Sequence, residues 1–76
     1  MRIISYNVNG IRSAMNKGFC DWLATNPADV ICLQEIKANE SDIDRAAIKA
    51  AGYESYFFSA QKKGYSGVGI LTRIQP

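Results

Sequence analysis

Asp29 to Lys37 reads Asp-Val-Ile-Cys-Leu-Gln-Glu-Ile-Lys (DVICLQEIK), and its change of character halfway along decides the fold. Asp29 to Gln34 is a nearly continuous apolar run of strand length. Strands covered on both faces in parallel sheets have this composition. On its N-terminal side, Asn26-Pro27 ends whatever precedes it, because a residue before proline avoids the helical region. Before that break, Phe19, Trp22 and Leu23 recur at i, i+3 and i+4, which marks a short amphipathic helix. Asn16-Lys17-Gly18 is a turn signal in front of it. Arg2 to Val8 (RIISYNV) is rich in β-branched and aromatic residues and reads as a first strand. Asn9-Gly10 stops it, since both residues tolerate positive φ. Strand, helix, strand between Arg2 and Gln34 predicts a right-handed βαβ crossover with the two strands parallel.

On the C-terminal side, Ser41 has the character of an N-cap, with Asp42 and Asp44 in a first turn that favours acidic residues. Ile43, Ala46, Ala47 and Ala50 supply an apolar stripe, and Gly52 stops the helix. Tyr53 to Ala60 (YESYFFSA) is a third strand and Val68 to Arg73 (VGILTR) a fourth. Gln61 to Gly67 (QKKGYSG) has hairpin-loop composition, so the last two strands are expected to be antiparallel. Phe19 and Trp22 are assigned to the core, and Tyr53, Tyr56, Phe57 and Phe58 mostly so.

Composition sets the outer bounds. The chain has 76 residues, 47% hydrophobic and 21% charged, which is a globular composition and excludes a second domain. Chains this short bury only about 60% of their unfolded surface, so one small core is expected. Apolar runs are a few residues long, which excludes a membrane span, and no secretory signal is visible, so a cytoplasmic protein is expected. Nine Lys and Arg against seven Asp and Glu give a net charge of +2, which allows nucleic acid as a partner without requiring it. Cys20 and Cys32 are expected as free buried thiols, and no Cys/His spacing suits zinc. There is no histidine, so a mechanism that needs an imidazole base cannot be completed within these residues.

Parallel neighbouring strands would bring Asn7, near the end of the first, beside Glu35, just past the second. Open α/β sheets place their ligands at that edge. An amide oxygen and a carboxylate are hard donors that suit Mg²⁺, which keeps several waters and is held by one or two carboxylates plus substrate phosphate. Arg12 and Lys37 follow these residues closely and could hold a phosphodiester. Polar residues at strand ends are also common without any site, and Asn9-Gly10 is a turn on either reading. Lys62-Lys63-Gly64-Tyr65-Ser66-Gly67 is a second candidate phosphate contact, or an ordinary charged hairpin loop.

The segments IISYNVNGIRSA, DVICLQEIK and KKGYSGVGILTR together resemble the opening of exonuclease III-type AP endonucleases, within the endonuclease/exonuclease/phosphatase superfamily to which DNase I is also similar. They occur in the family's order and cover nearly all of the chain. LQE alone is shared with distant relatives that cut lipids or inositol phosphates, but YNVNGIR, LQEIK and GYSGVG in combination point to the DNA-repair branch. Tyr6 departs from a common Trp or Phe, and Ile36 from a common Thr. The resemblance implies an α/β fold, the N-terminal part of a four-layered α/β sandwich of two mixed β-sheets (DNase I-like). It implies Mg²⁺-dependent hydrolysis of DNA phosphodiesters 5′ to abasic sites, with 3′–5′ exonuclease activity and Mn²⁺ as an alternative metal.

Carried over by position, Asn7 matches the active-site asparagine and Glu35 the metal-binding glutamate. Asn9 falls where some members carry a metal-associated aspartate, and its role stays open. Arg12, Lys37, Gly64 and Tyr65 match positions near the DNA backbone. Family members run well past this length, and their second half supplies the remaining catalytic residues, so residues 1–76 are expected to be the N-terminal part of one such domain and inactive alone. The implied partner is double-stranded DNA with abasic sites or 3′ ends, with no membrane. Two other readings stay open, a nucleic-acid-binding or structural module without catalysis and another phosphodiesterase of the superfamily. Half of a two-sheet sandwich would leave an apolar sheet face uncovered, from which self-association is expected.

Overall fold

The computed structural model describes residues 1–58 and 67–74. Along the chain lie β1 (Ile3–Asn7), α1 (Ile11–Asn16), α2 (Phe19–Thr25), β2 (Val30–Gln34), a 3₁₀ turn (Glu40–Asp42), α3 (Arg45–Ala50), β3 (Glu54–Phe58) and β4 (Val68–Thr72). The strands form one mixed sheet in the order β1-β2-β4-β3. β1 and β2 are parallel, in a register that sets Ile3 beside Val30 and Asn7 beside Gln34. β4 runs antiparallel to both β2 and β3. The parallel β1–β2 pair and the antiparallel β3–β4 pair are as the sequence predicts. Among the described residues no helix is long and apolar enough to cross a membrane.

One face of the sheet carries the core. Ile31 and Leu33 of β2 and Leu71 of β4 are fully buried against Ile11, Leu23 and Ile48 of the three helices. Tyr6 of β1 stacks on Trp22, which stacks in turn on Phe19, so the first strand is tied to α2 by aromatic faces. The buried Tyr53 hydroxyl accepts the backbone N–H of Ala28 at 3.1 Å, anchoring the entry to β2.

The opposite face is open. It presents Ile3, Tyr56, Phe58, Val68 and Ile70, all exposed. Tyr56 and Phe58 therefore belong to this open face, while Tyr53 and Phe57 are core. The period of two along β3 divides what the composition alone had grouped. The same division holds in β2, where Val30 and Cys32 are only half-buried. The run is apolar on both faces, but helices cover one. Both cysteines are free and half-buried. The Cys20 thiol is pushed up from its ordinary value, chiefly by burial and then by the charges of Asp44 and Asp21.

The third helix starts later than its sequence suggests. Its N-cap is Asp44, not Ser41: the Asp44 carboxylate accepts the Ala47 N–H at 3.0 Å. Ser41 lies in the 3₁₀ turn, closed by Asp42 N–H donating to the Asn39 carbonyl. The inward stripe is accordingly Ala47, Ile48 and Ala51, with Ala46 and Ala50 exposed. Ile48, fully buried, fixes that rotation, and Ile43 packs into the core from before the helix. α1 was not signalled by any strong pattern. It is six residues long, begins at the positive-φ Gly10, and is held by one fully buried side chain, Ile11.

Candidate active site at the strand ends

Parallel pairing of β1 and β2 continues past the last strand residues. Val8 N–H donates to Gln34 O at 3.1 Å, Gly10 N–H to Glu35 O at 2.8 Å, and Ile11 N–H to Ile36 O at 2.9 Å. The two segments leaving the sheet are therefore joined backbone to backbone. Asn9, Glu35 and Lys37 all adopt left-handed φ, at 47°, 53° and 53°. Between Glu35 and Lys37 lies Ile36, buried in the core, with its N–H bonded to the Gly67 carbonyl at 3.0 Å. One apolar side chain thus pins the backbone that carries two charged ones at the surface.

Four polar side chains meet there. The Asn7 carboxamide oxygen accepts the Asn9 N–H at 2.8 Å, which turns its NH₂ toward Glu35. Asn7 Nδ2 donates to Glu35 Oε2. Lys37 Nζ donates to Asn9 Oδ1 at 2.7 Å and stands 3.4 Å from Glu35 Oε1. The circuit Asn7–Glu35–Lys37–Asn9 closes on itself. The hydrogen bond from Asn7 and then that from Lys37 hold the Glu35 carboxyl below the ordinary 4.5, so it is ionised at neutral pH. Its side chain is 38% exposed and that of Lys37 50%, leaving both open to a ligand from solvent.

Of the residues singled out in the sequence, Asn7, Glu35, Lys37 and Asn9 are brought together. Arg12 is not in this circuit; it is exposed on α1, lining a cleft with Met15, Cys20, Asp42 and Asp44. Gly64 and Tyr65 lie outside the described residues. Two further residues position the site: Ile36, whose signal in the sequence is a lone apolar residue between Glu35 and Lys37, and Gly69 of β4. A Cβ there would lie 2.7 Å from the Phe57 ring and 3.4 Å from Ile36 Cδ1, so the absent side chain makes room for both.

The donor set is the Glu35 carboxylate with the carboxamide oxygen of Asn9, which shares the Lys37 ammonium with it. The Asn7 oxygen, expected from the sequence as a second ligand, is instead taken by the Asn9 N–H, and the Asn7 NH₂ faces Glu35. Among the described residues no three His, Cys, Asp or Glu side chains gather to enclose a metal. Hard oxygen donors with one carboxylate fit Mg²⁺, which retains water and completes its shell with phosphate oxygens. They do not fit a soft or four-coordinate metal.

Residues 4–76 match the Endonuclease/Exonuclease/phosphatase family. A DNA-(apurinic or apyrimidinic site) endonuclease of Dictyostelium discoideum is 43% identical over 76 residues, which is 100% of this chain and 21% of that protein. An exodeoxyribonuclease of Bacillus subtilis (strain 168) is 40% identical over 77 residues, covering 100% of this chain and 29% of that one. The solved structure of an AP endonuclease from Archaeoglobus fulgidus superposes with a TM-score of 0.84 at 33% identity, over 100% of this chain and 28% of that chain. The chain thus spans between a fifth and a third of the length of these relatives.

Proposed function

The chain belongs to the endonuclease/exonuclease/phosphatase family, and from that membership we propose that its strand-end circuit is part of the active site of a DNA repair nuclease. The reaction is hydrolysis of DNA phosphodiesters, 5′ to abasic sites and, as an exonuclease, from 3′ ends, in a protein that carries the length its relatives have beyond this chain. The observation that carries the reading is the direct hydrogen bond from Asn7 to an ionised Glu35 across the ends of two parallel strands.

Each residue has a part that follows from its contacts. Glu35 would hold Mg²⁺, with the oxygen of Asn9 beside it. When bound, the metal neutralises charge that develops on the phosphoryl and leaving oxygens. Asn7 fixes the rotation of the Glu35 carboxylate, which is the kind of preorganisation that costs nothing at the moment of reaction. Lys37 supplies a cation for the DNA backbone beside Glu35, and Arg12, exposed on α1 outside the circuit, is proposed as a second backbone contact. The 76 residues contain no histidine, so any imidazole base comes from outside them, and the chain alone is proposed not to turn over.

The test is nicking of a duplex with a single abasic site in Mg²⁺, by the protein with the family's full length and its Glu35→Ala variant. Loss on the order of 10²–10³ is expected, the range for removing one preorganised electrostatic group. Undiminished nicking refutes the assignment of Glu35.

A further inference from the structure

The two oxygens of Glu35 are used differently. Oε2 takes the Asn7 amide, whereas Oε1 faces the Lys37 ammonium at 3.4 Å. The same ammonium donates to Asn9 Oδ1 at 2.7 Å. A positive charge therefore sits between a carboxylate oxygen and a carboxamide oxygen, both hard donors of the kind that would hold a divalent cation. We propose that Lys37 is the resident cation of this site, competing with the divalent metal for Glu35 Oε1 and Asn9 Oδ1, so that metal entry displaces its ammonium. This rests on the reading of Glu35 as the metal ligand and adds a regulation of that site.

The chemistry follows from charge and geometry. An ammonium is a monovalent cation that holds oxygens through three hydrogen-bond donors, whereas a divalent metal carries twice the charge and coordinates the oxygens directly. It can satisfy Glu35 and Asn9 only while no stronger cation is present. Once displaced, it keeps its charge and its flexible four-carbon stem, and becomes free for a phosphate oxygen. Lys37 would then pass from carboxylate to DNA backbone as the metal arrives. Asn7 holds the other carboxylate oxygen throughout, so the ligand stays oriented during the exchange.

The test measures metal affinity, not catalysis. Mn²⁺ is titrated into the wild-type chain and the Lys37→Gln, Lys37→Arg and Glu35→Gln variants, with bound ion read from loss of the free-ion paramagnetic resonance signal. Lys37→Gln is expected to bind Mn²⁺ about two- to fivefold more tightly at low salt, the range an exposed ion pair carries. The difference is expected to shrink as ionic strength rises. Lys37→Arg keeps the charge and is expected to stay near wild type. Glu35→Gln is expected to lose the binding. Wild-type binding that depends on Glu35, together with Lys37→Gln binding equal to or weaker than wild type, overturns the competition while leaving the ligand assignment standing. Equal binding by Glu35→Gln overturns the ligand assignment, and the competition with it.

Discussion

Gly69→Ala tests whether the surface circuit is held by the core beneath it. Gly69 sits in the middle of β4, paired with Leu33 on one side and Phe57 on the other, and is buried. An added Cβ would stand 2.7 and 2.8 Å from two carbons of the Phe57 ring and 3.4 Å from Ile36 Cδ1. Both neighbours are buried, so neither can swing into solvent. Overpacking of this kind costs about 1–3 kcal/mol. Alanine in place of glycine returns roughly 0.4–1 kcal/mol by restricting the unfolded chain. The expected net loss is about 1 kcal/mol or somewhat more, which lowers Tm by roughly 4–8 °C per kcal/mol in a chain of this size. Thermal and urea unfolding of wild type, Gly69→Ala, Phe57→Leu and the double variant give the assay. The smaller side chain at position 57 is expected to relieve the clash, with a coupling of about 0.5 kcal/mol or more. Because Ile36 is the third partner, amide shifts at Glu35 and Lys37 should move in Gly69→Ala. Strict additivity of the two substitutions, or a Gly69→Ala protein as stable as wild type, would refute the reasoning.

Two further outcomes follow from the site and from α3. The Glu35 carboxyl, followed by carbon NMR in metal-free protein, should titrate below 4.5, and both Asn7→Ala and Lys37→Gln should raise it. Since the folded value is the depressed one, its contribution to stability is present above the unfolded value and fades as pH falls through the folded value, so Glu35→Gln should flatten the acid limb of the stability profile. Asp44→Ala should destabilise by about 1 kcal/mol through loss of the cap, whereas Ser41→Ala should stay within about 0.5 kcal/mol, as read from urea midpoints.

The strands and their pairing were legible because each signal was local and unambiguous. Apolar β-branched runs marked β1 and β2, and the short crossover between them left parallel pairing as the economical solution. Pairing then brought Asn7 and Glu35 together without any knowledge of side-chain contacts. What the sequence concealed was set by tertiary context. Ser41 and Asp44 are both good caps by chemistry, and only the demand that Ile43 and Ile48 both reach the core chooses between them. Tyr56 and Phe58 have the composition of core residues, and only the position of the helices shows that their face is the uncovered one. The Lys37 contacts were out of reach for another reason. They depend on left-handed φ at Glu35 and Lys37 as well as at Asn9, and neither Glu35 nor Lys37 is a residue type that announces it.

Those three residues also explain why the circuit can exchange one cation for another. Asn9 tolerates left-handed φ, but at Glu35 and Lys37 it is a strained conformation, costing about 1–3 kcal/mol each, that persists only where surroundings over-determine it. Here the surroundings are backbone and apolar. Gly10 and Ile11 N–H groups hold the carbonyls of Glu35 and Ile36, Gly67 holds the Ile36 N–H, and the Ile36 side chain is buried. The Lys37 ion pair is exposed on both sides and screened by solvent, so the backbone and core interactions, not this pair, fix the turn. Neutralising Lys37 therefore leaves Glu35 presented in the same way, by Ile36 below and Asn7 beside it. A gain in metal affinity in Lys37→Gln then reports the removal of a competing charge, because the geometry of the ligand does not depend on that charge.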